Sequence, residues 1–92
     1  MTKVIMNIDD ISGIFFDCIN HADDHDACTI VSTLCNVLVE ECFRSGHEPT
    51  VYNKGHVRID MPYSEESFHV FRTVEAVMKQ AARQHPDYIK IY

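Results

Sequence analysis

Residues 27–44, ACTIVSTLCNVLVEECFR, decide the fold of this 92-residue chain, because here the spacing of apolar residues becomes helical. Apolar residues recur at i, i+3 and i+4 and form one stripe, which predicts an amphipathic helix. The stripe consists of Ala27, Ile30, Val31, Leu34, Leu38 and Cys42. Asp24 or Asp26 can cap the start of this helix, and Gly46 provides the left-handed residue that ends it.

On both sides of this helix the apolar residues alternate with period two. Lys3–Ile8 and Ile14–Ile19 predict two strands, joined as a hairpin through a turn in which Gly13 adopts a positive φ. Thr50–Asn53 and His56–Met61 predict a second hairpin. In this second hairpin one face is covered and the other is solvated.

A second helix is predicted from Ser64 to about Gln84, and Tyr88–Tyr92 predicts a short last strand. The apolar face of this helix consists of Phe68, Phe71, Val74, Val77, Met78 and Ala81. The order β-β-α-β-β-α-β predicts a two-layer α+β fold, with two amphipathic helices on a mostly antiparallel sheet. At this length we expect a single domain over residues 1–92.

Composition narrows the class of protein. The formal net charge is −6, from 14 acidic and 8 basic residues, so direct nucleic-acid binding is not expected and a basic peptide partner is favoured. No apolar run approaches the ~18 residues of a membrane span, and the first residues lack the features of a signal peptide. We therefore expect a cytoplasmic protein that has free thiols and needs no cofactor.

The stretch His21-Ala-Asp-Asp-His-Asp-Ala-Cys28 concentrates reactive groups just before the helix. A thiol at a helix start with an upstream histidine suits a nucleophile and its base. The helix start and an imidazolium at His21 or His25 would lower the pKa of Cys28. Asp24 and Asp26 would raise that pKa, or one of them would orient the histidine.

Two other interpretations of the same stretch stay open on the residues alone. His21, His25 and Cys28 with one aspartate have a spacing that permits a metal site. Alternatively, Cys28 is an inert cysteine at the edge of the core, beside a solvated acidic loop.

Two segments of the sequence resemble a known family. Asn20-His21-Ala22, the acidic loop and Cys28–Leu34 resemble the Gly-His-Ala … Cys-Ala-x-Val-Ser-x-Leu signature of the ribosomal-processing cysteine protease (Prp, YsxB-like) family. Gln84–Ile91 resembles the family's Tyr-Pro-Asp-Tyr-Val-Lys-Val segment near the end of the chain.

The resemblance implies a cysteine endopeptidase with His21 as base and Cys28 as nucleophile. Ser32 matches the family's serine, and Ser32, Asp24 or Asp26 would support the histidine. Members are small homodimeric α+β proteins of the bacterial cytoplasm. They remove a short basic amino-terminal extension from a large-subunit ribosomal protein during ribosome maturation.

The sequence departs from the family pattern at three points. Asn20 replaces a glycine, six residues intervene between His21 and Cys28, and His25 stands where the family has an aspartate. These departures keep a second hypothesis open, a non-catalytic ribosome-associated binding module of the same fold. An apolar patch around Phe68 and Phe71 would suit a homodimer contact, although the same residues also suit the core.

Overall fold

The computed structural model describes the backbone of residues 1–19 and 25–92 and the side chains of residues 1–19 and 27–92. Five strands and two helices occur in these residues, in the predicted order. They are β1 (Thr2–Asp9), β2 (Gly13–Ile19), α1 (His25–Arg44), β3 (Val51–Asn53), β4 (His56–Met61), α2 (Glu65–Gln84) and β5 (Ile89–Ile91). The predicted α+β class and order of elements are therefore confirmed.

The strands form one sheet in the order β3-β4-β2-β1-β5. The pairings β1/β2, β2/β4 and β3/β4 are antiparallel, whereas β5 pairs with β1 in parallel. Side chains on one face of the sheet, such as Val4, Phe16 and Ile59, join side chains of both helices in a single core. The described helices thus cover one face of a mixed, mostly antiparallel sheet, as predicted.

The turn between β1 and β2 depends on Gly13. Asp9 Oδ1 accepts hydrogen bonds from the amides of Ile11 and Ser12, at 2.6 and 3.1 Å. Gly13 follows with φ of 94°, and a Cβ there would lie 2.5 Å from the carbonyl oxygen of Met61. Both the backbone angle and this close approach to β4 require glycine, so the predicted role of Gly13 is confirmed.

The first helix begins earlier than the apolar pattern predicts. α1 starts at His25, so Asp26 lies within its first turn and is not its N-cap. The apolar period begins only at Ala27 because the preceding residues are polar, and a polar first turn carries no periodic signal. Most of the predicted stripe is fully buried, and Ile30 is half-buried at its edge. Gly46 ends the helix with φ of 83°, as predicted.

The second helix begins as predicted but buries a narrower stripe. The side chain of Ser64 caps it by accepting from the amide of Ser67 at 3.1 Å. Phe71 is completely buried in the core, so it cannot form part of a surface patch with Phe68. Val77 is 39% exposed, although its spacing assigned it to the core face. Ser67 is buried instead, because it has a partner on α1.

That partner is Glu41, a buried carboxylate near the end of α1. Arg44 donates to both of its oxygens, at 2.7 and 2.6 Å. The hydroxyls of Ser67 and Ser45 donate to Oε2 at 2.7 and 3.3 Å. The hydrogen bonds from Arg44 outweigh burial and lower the pKa of Glu41 to about 2. A charged, fully bonded carboxylate therefore joins the end of α1 to the start of α2.

Replacing Glu41 by glutamine should destabilise the fold by about 2 kcal/mol at pH 7, because the charged hydrogen bonds from Arg44 are lost. The folded pKa is lowered, so this stabilisation is complete above the ordinary glutamate value of 4.5 and disappears as the pH falls toward about 2. Urea unfolding at pH 7 and pH 3 measures both effects. The difference in the free energy of unfolding between wild type and Glu41→Gln should be smaller at pH 3 than at pH 7.

The matched control is Glu40→Gln, since Glu40 is the exposed neighbour of Glu41. Glu40→Gln should change the free energy of unfolding by no more than about 0.5 kcal/mol. Equal losses in the two variants would contradict the assigned role of Glu41.

Candidate functional site

Cys28 lies in the first helical turns of α1 and is half-buried. Its Sγ atom is 4.0 Å from Oγ of Ser32, one turn further along the helix. Ala27 and Val31, which flank Cys28 on the core side, are fully buried. The backbone that carries the thiol is therefore held by core packing, while the thiol itself reaches the surface.

The contact between the helices fixes the direction in which Cys28 points. Glu41 faces α2, because Ser67 of α2 donates to it. Ser32 and Glu41 are nine residues apart, so their side chains lie about 180° apart on a helix of 3.6 residues per turn. Cys28 and Ser32 thus project from the side of α1 that faces away from α2.

The order of the sheet identifies what lies on that side. α1 packs against β4, while α2 packs against β5 at the opposite edge. Tyr52 on the edge strand β3 donates its hydroxyl hydrogen to Asn36 Oδ1 of α1 at 3.4 Å. Asn36 follows Ser32 by one turn. Cys28, Ser32 and Asn36 therefore line the side of α1 that faces β3.

The ends of the elements place Cys28 along the sheet. α2 follows β4, whose last residue Met61 pairs with Ile14 at the start of β2. The start of α2 therefore lies near the start of β2. Because Glu41 joins the end of α1 to the start of α2, the end of α1 also lies near the start of β2, and the start of α1 lies near the end of β2. Ile19 at that end pairs with His56, next to the turn between β3 and β4. Cys28 thus lies toward that turn.

Several predicted site residues lie outside the described part of the chain. His21 and Asp24 are among them, and for His25 and Asp26 only the helical backbone is described. Because α1 starts at His25, the amide of Thr29 lies past the first turn and donates within the helix.

The other cysteines belong to the core. Cys18, Cys35 and Cys42 are buried and carry free thiols. The contact with Cys18 and burial raise the pKa of the Cys35 thiol, and burial with the nearby Glu48 raises the pKa of Cys42. Because all three are buried, these thiols are poor nucleophiles in the folded protein.

A second polar cluster lies on the face of the sheet opposite the helices. His56 Nε2 is 2.7 Å from Asp17 Oδ1, and Arg58 Nη2 is 3.1 Å from Oδ2. Although burial raises the pKa of Asp17, hydrogen bonds from Arg58 and His56 lower it overall below its usual value. Sequence reasoning missed this cluster, and its one signal is an aspartate within an otherwise apolar strand.

A groove of about 590 Å³ lies between α1 and α2, lined by Val37, Arg44 and Val70 among others. Cys28 and Ser32 do not line this groove, although Asn36 does. The groove therefore borders the candidate site only at Asn36.

The described residues contain no group of three or more His, Cys, Asp or Glu side chains arranged to hold a metal ion. Two of the three named residues of the predicted metal set, His21 and His25, lack described side chains, so that set stays untested. Neither described helix combines the length and apolar character needed to cross a bilayer.

The geometry defines a small two-layer α+β protein with a half-buried thiol at the start of a helix. Its fold is that of solved ribosomal-processing protease structures. The S. aureus ribosomal processing protease Prp with a covalently linked product peptide matches with TM-score 0.80 and 17% identity, covering 99% of this chain and 97% of that chain.

Two more structures match over nearly the whole chain. The same S. aureus protease with a substrate peptide gives TM-score 0.70 at 14% identity, covering 100% and 98% of the two chains. SMU.848 from Streptococcus mutans gives TM-score 0.77 at 17% identity, covering 99% and 95%. No family model matches the sequence, and no curated protein matches it.

Burial predicts that iodoacetamide modifies the folded protein once, at Cys28, and the unfolded protein at all four cysteines. Intact mass and peptide mapping measure the number and the site of the adducts. As a control, the Cys28→Ser variant should take up no label in the same time while folded. Modification of Cys18 or Cys35 at the rate of Cys28 would contradict the structure.

Proposed function

We propose that this protein is a cysteine endopeptidase of ribosome maturation, which removes the amino-terminal extension of a large-subunit ribosomal protein. One observation carries the proposal most directly. Cys28 is the half-buried thiol at the start of α1, in a fold shared with a protease solved with a covalently linked product peptide. The sequence around Cys28 resembles the signature of that protease family.

In the proposed mechanism, His21 takes the proton from the Cys28 thiol, and the thiolate attacks the scissile carbonyl carbon. Backbone amides at the start of α1 stabilise the oxyanion. The protonated His21 then gives its proton to the leaving amine, so the peptide bond breaks and a thioester remains. Water, deprotonated by His21, attacks the thioester, releases the acid and regenerates the thiol.

Ser32, Asp24 and Asp26 are the proposed supporting residues. Ser32 is supported by its position one turn from Cys28, with its Oγ 4.0 Å from the sulfur. Asp26 is supported by its place in the first turn of α1 and Asp24 by sequence alone. Each would hold His21 in the orientation that proton transfer needs.

We propose that the partner is the basic extension of the ribosomal protein and that the protein acts in the cytoplasm without cofactor. The net charge of −6 supports attraction of a basic peptide. A homodimer follows from the family resemblance. The face of the sheet away from the helices, with Ile5 37% exposed, is the proposed contact, and light scattering would measure the mass.

Cleavage of a synthetic peptide that spans the extension junction tests the mechanism. Cys28→Ala and His21→Ala should each lower kcat/KM by about 10⁴-fold or more, since nucleophile and base act together. Mass spectrometry of the products measures both the rate and the position of the cut.

His47→Ala serves as the control for His21, because His47 is exposed beyond the far end of α1. Its rate should equal that of wild type. Cleavage by Cys28→Ala at the wild-type rate would exclude Cys28 as the nucleophile.

The second candidate is a non-catalytic binding module of the same fold. The departures at Asn20 and His25 and the short segment before Cys28 motivate it. The pH dependence of iodoacetamide labelling at Cys28 separates the two functions. A midpoint at or below ~7 is expected for the enzyme, and one near ~8.5 indicates an ordinary thiol and favours the module.

A further inference from the structure

The surface beside Cys28 combines one side of α1 with the edge strand β3. We call it the edge surface and define it by Cys28, Ser32 and Asn36 on α1 and by Tyr52 on β3. Tyr52 pairs with Val57, whose side chain is in the core, so its ring also lies on the helix side of the sheet. The edge surface thus runs from the thiol along the outer strand.

The main chain of β3 is open to pairing on its outer side. β3 is an edge of the sheet, and among the described residues no strand lies beyond it. An edge strand presents amide and carbonyl groups that an extended peptide can bind. The other edge, β5, packs with α2 and is remote from α1. Of the two edges, β3 is therefore the one that adjoins the candidate nucleophile.

Tyr52 gives this edge a recognition element. Its side chain is 57% exposed, although its hydroxyl is held by Asn36 at 3.4 Å. A tyrosine anchored at its polar end offers a broad apolar face at low entropic cost. The ring is therefore placed to contact an apolar side chain of a bound peptide.

Building on the proposed function, we propose that an extended segment of the substrate pairs with β3 as an added strand and that Tyr52 determines specificity for it. Cys28 and Asn36 are eight residues apart, about 12 Å along the helix. An extended peptide spans this distance in about four residues. Tyr52 thus selects an apolar side chain about four residues from the scissile bond.

The occupant is a peptide and not the β3 strand of a second copy. β3 has three residues, which supply too little area for a stable contact between two copies. A substrate peptide gains further contacts at Cys28. The acidic chain also attracts a basic extension.

A backbone scan of the peptide tests strand addition without altering the protein. The probe is a fluorescent peptide spanning the extension junction, bound to the Cys28→Ala protein so that no cleavage occurs. Methylation of single peptide amides should raise Kd about tenfold at every second position and little at the positions between, because alternate amides of a strand face its partner. Equal effects at all positions would overturn strand addition.

Side-chain variants test the role of Tyr52. In the Cys28→Ala background, Tyr52→Ala should raise the Kd for the peptide about tenfold. In the protein that retains Cys28, the same substitution should raise KM about tenfold while kcat changes less than about twofold. Tyr52→Phe keeps the ring and should retain most of the affinity. Tyr92→Ala is the matched control, since Tyr92 is 61% exposed and follows the opposite edge strand. Equal behaviour of the Tyr52→Ala and Tyr92→Ala variants would overturn the assignment.

The outcomes separate this inference from the proposed function. If wild type cleaves the peptide and Tyr52→Ala has no effect, the proposed function stands and the role of Tyr52 fails. If wild type does not cleave but the peptide binds with the alternating pattern, strand addition stands and the protease function fails. Absence of both binding and cleavage would overturn both.

Discussion

The buried carboxylate of Glu41 controls the geometry of this protein. Its hydrogen bonds to Arg44 and Ser67 fix which side of α1 meets α2. A helix is rigid, so this contact also sets the direction of Cys28 several turns away. Had α1 been rotated by a half-turn, the thiol would face α2 and the β3 side would carry no reactive group. The site therefore depends on an interaction at the other end of its helix.

The elements of the fold are readable in the sequence because the apolar period changes at their boundaries. The first hairpin, both helices and the glycine at position 13 follow from local pattern and turn chemistry. The parallel pairing of β5 with β1 does not, because it joins segments from opposite ends of the chain. The burial of Ser67 and the exposure of Val77 do not follow from the pattern for a related reason, since a period identifies a helix face but not the contacts that bury it.

The candidate site is readable only in part. The position of Cys28 at a helix start follows from where the apolar stripe begins, and its resemblance to a family signature adds a chemical role. The direction of the thiol and the nearness of Tyr52 depend on contacts between residues far apart in sequence. A strand pattern gives no information about which helix lies beside it. Asn36 and Tyr52 were therefore missed, although both are exposed polar residues next to core positions.

The distribution of the four thiols has a consequence for oxidation. Peroxide converts an accessible thiolate to a sulfenic acid. A nearby thiol can condense with this acid to form a disulfide and water, and a second thiol then reduces that disulfide. Cys35 and Cys42 share the helix with Cys28 but are buried in the core, as is Cys18. An oxidised Cys28 thus has no resolving thiol at the surface of its own chain. Recovery from oxidation then falls to a thiol supplied by another molecule.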